Sequence, residues 1–283
     1  MRGHLLVDVP MAAAAISLYP SFGLEPLAWL AGAATLIHSW GVINPRSSLY
    51  LPVHWRLPPG SAGLALTFDD GPDPEATPRI LDLLASAGAR ASFFLIGSHV
   101  QRHGVLVRRM VAEGHAVGLH SFSHSRLVNV WPPWLVRRDL EDCARAIADA
   151  TGQAPPRLYR PVVGLKNPII GFVAGQLQLR AVTWSCRALD TGAADPDLVL
   201  ARLRRGLAPR AILVMHDGSE PRRPQDRAVA VEVLRRLLPE LSARGLSSSA
   251  LEVTPRAISA RTPAQASAAP VLADVPAGGG PLS

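Results

Sequence analysis

The sequence predicts an α/β fold in which parallel strands and helices alternate and close into a barrel. Two observations lead to this prediction. Between Gly63 and about Val253, short runs rich in apolar and β-branched residues alternate with longer segments of helical spacing, a pattern typical of parallel βα units. Six or seven such units follow one another in this region, and that number favours a barrel over an open sheet.

The predicted elements follow a regular order along the chain. The first strand ends in two aspartates, and the helix after it is predicted to begin with Thr77 as the N-cap residue and Pro78 in its first turn. Gly88 and Gly114 are predicted to end two of the helices. In order, the strand-like runs are LALTFDD, ARASFFLIG, HAVGLHS, RLYRPVV, RAVTWSC and AILVMHD. The helical segments include TPRILDLLASAG, VLVRRMVAEG, WLVRRDLEDCARAIADATG and DRAVAVEVLRRLLPELSARG.

Composition excludes some classes of protein. The chain has 283 residues, of which 48% are apolar, so it can bury a large core as one domain or two. Its formal charge is +7, but the arginines are scattered and Lys166 is the only lysine. Because no basic stripe with interleaved aromatic residues is present, we expect no nucleic-acid partner. Cys143 and Cys186 have no metal-type spacing and indicate neither a redox compartment nor a cofactor.

Residues 1–58 are predicted to be an apolar N-terminal segment that anchors the protein to the bacterial cell membrane. From Val9 to Ile43 the only formal charge is Glu25, and two prolines divide the run into pieces shorter than the roughly 20 residues of a spanning helix. One kinked span, a hairpin of two short spans, an uncleaved signal-like segment and a buried helix pair all fit this pattern. The scarcity of polar residues favours membrane association. A single span and a pair of spans would place the following domain on opposite sides of the membrane. The sequence therefore does not predict on which side of the membrane the domain lies.

The rest of the chain divides into a domain and a tail. Residues 59–254 contain all the alternating elements and are predicted to form one catalytic domain. Residues 255–283 are rich in Ala, Pro, Gly and Ser and have no periodicity, so we predict a disordered tail.

Ionisable residues close almost every predicted strand. In α/β barrels, the residues that bind ligands and catalyse reactions collect at the carboxyl ends of the strands. One polar residue at such a place would mean little, but the same pattern on five strand ends indicates a functional site. The residues concerned are Asp69, Asp70, His120, His124, Arg160, Asp190, His216 and Asp217.

Two histidines of this set can bind one metal ion. His120 and His124 are four residues apart and share a face if the segment between them is helical. One carboxylate from the pair Asp69 and Asp70 would complete a site with open positions, which is the arrangement of a catalytic metal. The other aspartate would then be free to accept a proton. The alternatives are an ordinary histidine pair and a turn in which the aspartates cap backbone amides.

Three other histidines have no partner at a usable spacing. His99, His103 and His115 lie on predicted helical or connecting segments. We interpret them as ordinary surface or core residues.

Five short motifs resemble those of the polysaccharide deacetylases with a NodB homology domain, which form carbohydrate esterase family 4. They are TFDDGP at 67–72, HSFSH at 120–124, RPVVG at 160–164, WSCRALD at 184–190 and VMHD at 214–217. The resemblance covers roughly residues 63–250. It implies a distorted, incomplete (β/α)7-type barrel. It also implies a metal-dependent hydrolase, a polysaccharide N-deacetylase that removes N-acetyl groups from an amino-sugar polymer or oligomer.

The resemblance further implies a divalent metal, with Zn²⁺ the expected ion. Water on this metal would attack the amide carbonyl while the metal polarises the carbonyl oxygen. The ligands would be Asp70, His120 and His124.

Four more residues receive roles from the same resemblance. Asp69 would be the general base, and Arg160 would hold it ionised and oriented. His216 would be the general acid that protonates the leaving amine, with Asp190 as its carboxylate partner.

Several positions depart from the family motifs. Val163 stands where the third motif usually has a tyrosine, and Val214 where the fifth usually has a leucine. In the fourth motif, Arg187 replaces the first aspartate and Thr191 replaces the tryptophan. These changes affect the expected substrate more than the expected reaction.

The substrate and even the activity therefore have alternatives. The expected substrate is an N-acetylated cell-wall or exopolysaccharide glycan. One alternative is a deacetylase or deformylase of a lipid-linked sugar at the membrane, which the N-terminal segment favours. Another is a catalytically inactive NodB-like domain that binds a glycan or a protein partner.

Overall fold

Eight parallel strands form the central sheet of the protein. The structure is a computed structural model that describes residues 3–22, 24–192, 195–221, 225, 227–254 and 258–260. The sheet strands are β1 (Val53–His54), β2 (Ala65–Asp69), β3 (Ala91–Leu95), β4 (Ala116–Leu119), β5 (Leu158–Tyr159), β6 (Arg180–Val182), β7 (Cys186–Arg187) and β8 (Ile212–His216). Their order across the sheet is β1-β6-β5-β4-β3-β2-β8-β7.

The sheet curls but does not close, which confirms the incomplete barrel. Every neighbouring pair is parallel. The strands β2, β3 and β8 lie at the centre and are buried along their whole length, because parallel strands covered on both faces need nearly continuous apolar sequence. The edge strands β1 and β7 contain two residues each. These short edges bring the count to eight, one more than the seven expected.

Six helices connect the strands and cover the sheet. They are α3 (Ala76–Ser86), α4 (Gly97–Ala112), α5 (Pro133–Thr151), α6 (Pro168–Gln176), α7 (Pro196–Gly206) and α8 (Ala228–Ala243). Short 3₁₀ helices at Arg126–Val130 and Val162–Gly164 interrupt two connections. The apolar faces of the helices and of the strands form a large core, and a second apolar cluster, which includes Ala65, Phe94 and Ile212, lies on the other face of the sheet. This core fixes the carboxyl ends of the strands, where the predicted site residues lie.

The predicted start of α3 is wrong in detail. The helix begins at Ala76, one residue before the expected N-cap Thr77. The carboxylate of Asp73 accepts hydrogen bonds from the backbone N–H groups of Glu75 and Ala76 and so caps this turn. The hydroxyl of Thr77 is buried and donates a hydrogen bond to Asp217 instead. The Thr77 side chain, which local sequence preference predicts as the helix cap, therefore makes a tertiary hydrogen bond with Asp217 instead.

The N-terminal segment forms a hairpin of two helices, α1 (Leu5–Phe22) and α2 (Glu25–Ile43). The start of α1 contacts the end of α2, where His38 Nε2 lies 2.7 Å from Asp8 Oδ1. By length and composition, α2 can cross a membrane, and α1 is a shorter apolar helix. Only 6% of the apolar window in α2 is buried, so α2 does not serve as a core helix of the domain.

The C-terminal part adds a small antiparallel pair. The strands β9 (Leu251–Val253) and β10 (Ile258–Ala260) are paired with each other, so three residues of the predicted tail form a strand. The remaining tail residues, 255–257 and 261–283, lie outside the described residues.

Candidate active site

The predicted site residues meet at one edge of the sheet. Asp69 ends β2 and His216 ends β8, and the parallel register places these two residues side by side. His120 directly follows β4, and Arg160 directly follows β5. Because the strands are parallel, all these ends lie on the same edge. The pattern of ionisable strand ends in the sequence thus corresponds to one cluster in space.

Asp70, His120 and His124 form a cluster that can hold a metal ion. Their ligand atoms all lie within 4.8 Å of one another, and the three side chains are buried. Asp70 Oδ1 lies 3.1 Å from His124 Nε2 and 3.5 Å from His120 Nε2, yet it has no hydrogen-bonded partner. A buried carboxylate oxygen without a partner is costly, and a bound cation would satisfy it.

The hydrogen bonds around the cluster also suit a metal. His120 Nδ1 donates to the carbonyl of Arg160 at 2.8 Å, so its Nε2 is left as the ligand atom. Burial alone would raise the pKa of Asp70, but the close approach of His124 and the charges of the nearby imidazoles lower it well below its usual range. The carboxylate is therefore in the anionic form that a metal requires. Two imidazoles and one carboxylate fit a divalent ion with open positions.

The segment between His120 and His124 is not helical, so the condition on which the spacing argument depended is not met. Ser121 and His124 have positive φ values of 81° and 50°, and the segment forms a bent loop. Asp139 on α5 holds this loop, because its carboxylate accepts hydrogen bonds from the backbone N–H groups of Phe122 and Ser123, both at 3.0 Å. The two histidines converge through this loop rather than through helical periodicity.

Asp69 is held by a buried arginine. Arg160 is fully buried, and its Nη1 donates to Asp69 Oδ1 at 2.6 Å and to the hydroxyl of Thr67 at 2.8 Å. Burial lowers the pKa of Arg160, and the Asp69 carboxylate opposes this effect by charge and by its hydrogen bond. The ion pair fixes one oxygen of Asp69 and leaves the other available to the cavity.

His216 is held by a buried aspartate. Asp190 accepts a hydrogen bond from His216 Nδ1 at 2.7 Å and another from the His216 backbone N–H at 2.9 Å. Burial lowers the pKa of His216, but the charge and the hydrogen bond of Asp190 outweigh it, so the pKa lies above its ordinary value. The imidazole is therefore poised to carry a proton near neutral pH.

One cavity joins these groups. Asp69, Asp70, His120, His124 and His216 all line it, together with residues from strands, 3₁₀ helices and loops around the sheet edge. These other lining residues are Arg126, Val163, Gly164, Trp184, Arg187, Thr191, Val214, Glu220, Gln225 and Arg227. All four positions that depart from the family motifs are thus in the cavity wall.

Val163, which replaces the usual tyrosine, has an unusual backbone. Its φ is 56° and its side chain is 40% exposed at the cavity. A β-branched residue is strained in this left-handed region. The loop is therefore held in place by its surroundings rather than by the preference of valine.

Sequence reasoning missed one supporting residue, His99, and assigned no role to Asp217 beyond its place among the ionisable strand ends. His99 was interpreted as an ordinary residue, but its Nδ1 lies 3.0 Å from the carbonyl of Asp70 and supports the loop that carries this metal ligand. Asp217 packs so close to Gly71 that a Cβ at that glycine would lie 2.2 Å from Asp217 Oδ2. Burial raises the pKa of Asp217 to about 7. Spacing gives no signal for His99, because its partner is a backbone atom.

The site is of the class of hydrolytic metal centres. It combines a ligand cluster with open positions, a fixed carboxylate that can accept a proton and a fixed imidazole that can donate one. All three elements face the same cavity.

Comparison with known proteins places the chain in a family. Residues 57–182 match the family model described as polysaccharide deacetylase. A chitooligosaccharide deacetylase from Bradyrhizobium is 35% identical over 192 residues, covering 66% of this chain and 87% of the relative. A peptidoglycan-N-acetylglucosamine deacetylase from Bacillus cereus is 33% identical over 195 residues, covering 68% and 88%. The chain belongs to the polysaccharide deacetylase family.

The chain is also similar to solved structures of the family. A family 4 carbohydrate esterase pseudoenzyme from Bacillus anthracis has a TM-score of 0.62 and 26% identity, and the match covers 70% of this chain and 66% of that one. A mutant of the pseudoenzyme with restored enzymatic activity matches with the same TM-score. The fold is therefore common to an inactive protein and to an active form of it, so the fold alone does not establish activity.

We expect Asp139→Asn to weaken metal binding by about 10- to 100-fold, because the loop that carries His124 loses a charged acceptor outside the metal ligands. The measurement is a titration of the metal-free full-length protein with zinc against a competing chelator. Asp149→Asn, an exposed change on the same helix, is the control and should bind zinc as the parent does. Equal affinity in the Asp139 variant would show that this carboxylate does not position the loop.

Proposed function

We propose that the protein is a membrane-anchored, zinc-dependent hydrolase that removes N-acetyl groups from an amino sugar of a glycan. The observation that carries this proposal is the shared cavity, into which the metal-binding cluster, Asp69 and His216 all project. The relatives named as chitooligosaccharide and peptidoglycan-N-acetylglucosamine deacetylases support N-acetylglucosamine as the sugar.

Asp70, His120 and His124 would hold the metal. Nitrogen and carboxylate ligands with an open fourth position are typical of catalytic zinc, which supports zinc over harder cations. When bound, the ion would supply Lewis-acid activation of water and of the amide carbonyl. The protein's part is to keep the three ligand atoms together in a buried loop.

Asp69 would accept the proton of the attacking water. Its oxygen Oδ1 is held at 2.6 Å by Arg160, so the carboxylate cannot rotate away from the cavity. Its neighbour Asp70 has a left-handed φ of 72°. The two adjacent carboxylates therefore point in different directions and can have different roles. One carboxylate serves the metal and the other serves the water.

His216 would donate a proton to the leaving nitrogen. Amines are poor leaving groups unless protonated, so a general acid is needed. Asp190 orients the ring through Nδ1, which leaves Nε2 as the atom that delivers the proton. The raised pKa of His216 keeps the acid form populated near neutral pH.

We expect Asp69→Asn to keep the metal and lose hydrolysis, because asparagine cannot accept the proton of the attacking water. Acetate released from N-acetylglucosamine oligomers and peptidoglycan should fall by about 100- to 10,000-fold, and removal of the metal by a chelator should abolish release by the parent protein. Asp82→Asn, an exposed change on α3, is the matched control.

The same variant separates the enzyme from an inactive glycan-binding domain. The inactive domain is the second candidate function, and the similarity of this chain to a pseudoenzyme is the observation that favours it. A binding domain would keep its biological role after Asp69→Asn, whereas an enzyme would lose it. The retained cluster, base and acid support the enzyme.

We expect Asp190→Asn to shift the alkaline limb of the pH profile to lower pH. Asp190 raises the pKa of His216, so its loss lowers that pKa, and the acid form then disappears at a lower pH. The shift in kcat/KM should be about one pH unit or more, with activity at neutral pH reduced. A profile whose alkaline limb does not move would assign the acid to another group.

The N-terminal hairpin would be the membrane anchor. Its exposed side chains include Leu6, Ile16, Trp29 and Leu36, each more than 70% exposed, and exposed apolar surface of this extent is typical of membrane contact. A hairpin would also place the residues before α1 and the catalytic domain on the same side.

We therefore expect the full-length chain to sediment with membranes at low salt and to require detergent for release. The measurement is fractionation of cell extracts followed by detection of the protein in pellet and supernatant. Full release into the soluble fraction without detergent would exclude the anchor.

A further inference from the structure

The base of the hairpin is attached to one wall of the cavity. The helix α2 ends at Ile43, and Lys166 Nζ donates to the carbonyl of the next residue, Asn44, at 2.8 Å. The same ammonium lies 3.5 Å from the carbonyl of Gly164, which lines the cavity. One buried lysine thus links the end of the apolar helix to the loop that bounds the site.

A second contact attaches the same region to the adjacent part of that wall, where Trp184 packs against Gly164. Arg46 Nη2 donates to the carbonyl of Ser185 at 3.0 Å, and the preceding residue, Trp184, lines the cavity. Between these contacts and β1 the chain is packed, since Ser47, Tyr50 and Leu51 are each at most 5% exposed. The domain therefore packs directly against the hairpin and is not joined to it by a flexible linker.

Exposed apolar side chains occur on the elements around this wall. Phe172 on α6 and Val163 at the cavity are 42% and 40% exposed, and Val130 on the first 3₁₀ helix is 76% exposed. Asn167 Nδ2 donates to the carbonyl of Asn129 at 2.6 Å and so joins the start of α6 to that 3₁₀ helix. We call these three side chains the apolar rim.

The cavity also contains an arginine without a carboxylate partner. Arg187 lines the cavity and stacks on Trp184 at 5.7 Å. Arg126 pairs with Glu220 and Arg160 with Asp69, but among the residues that the structure describes no carboxylate forms an ion pair with Arg187. A guanidinium in this position is suited to a phosphate of the substrate.

We infer that the cavity opens at the membrane surface and takes an N-acylated amino sugar joined through a phosphate to a lipid, with Arg187 as the contact for that phosphate. The inference rests on the proposed function and narrows its substrate class. The rigid attachment of the hairpin brings the cavity to the lipid, the apolar rim contacts the bilayer, and Arg187 meets the anion at the junction of sugar and lipid.

The test compares four substrates with the full-length protein in phosphatidylcholine vesicles. The first is N-acetylglucosamine joined by a phosphodiester to a long-chain alcohol. The second is the glycoside of the same alcohol without phosphate, the third is the methyl phosphodiester without the chain, and the fourth is a soluble N-acetylglucosamine oligomer. Acetate release should give the first substrate a kcat/KM at least about 10-fold above each of the others, the value of one charge-assisted hydrogen bond.

Variants assign the phosphate contact. Arg187→Ala should lower the ratio of kcat/KM for the first substrate over the second by about 10-fold or more, and Arg187→Lys should restore part of it. Arg138→Ala, a change on the exposed face of α5, is the control and should keep the parent ratio. An unchanged ratio in Arg187→Ala would overturn the assignment of this residue.

The outcomes also separate the inference from the proposed function. Equal or faster hydrolysis of the soluble oligomer would overturn the inference and leave the deacetylase in place. Absence of acetate from all four substrates, with zinc bound, would count against both.

Discussion

The buried guanidinium of Arg160 is the interaction on which the rest of the site depends. A charge in the core is costly unless it is paired and fully hydrogen-bonded, and here every side of the group has a partner. It stacks on the ring of Phe94 at 4.0 Å and binds oxygen atoms from two segments of the sheet, β2 and the end of β6. Those acceptors are Asp69 Oδ1, Thr67 Oγ1, Val182 O and Thr183 O. Loss of the arginine would leave Asp69 buried and unpaired, a change that typically costs about 3–5 kcal/mol.

The parallel register of the sheet then sets the distances between the catalytic groups. Asp69 and His216 are neighbours because β2 and β8 pair residue for residue, and a slip of one residue would turn their side chains to opposite faces. Arg160 and His120 enter from β5 and β4 on the other side of β2. The geometry of the chemistry is thus a consequence of strand pairing, while loops supply only Asp70, His124 and Asp190. The same loops carry the strained φ values at Asp70 and His124.

Much of this arrangement could be predicted from the sequence, because strand and helix periodicity and the acidic and histidine residues at strand ends are local signals. The predictions failed where a distant side chain decides local structure. Asp139, on α5, bends the segment that holds His124, and Asp217 takes the hydroxyl of Thr77 from its capping position. His99 supports Asp70 through a backbone carbonyl, a contact that no residue spacing encodes. The N-terminal segment allowed several predictions for a different reason, since prolines and length alone do not distinguish one apolar helix from two.

The packed segment between α2 and β1 has a consequence for kinetics. Because Ser47, Tyr50 and Leu51 are buried against the domain, the reaction centre keeps a fixed distance from the hairpin. An enzyme on a flexible linker samples a volume whose radius grows with linker length, whereas the membrane-anchored enzyme proposed above, acting on a lipid-linked sugar, would search in two dimensions. Its rate would then follow the number of substrate molecules per unit area and their lateral diffusion, and dilution of the surrounding solution would leave that rate unchanged.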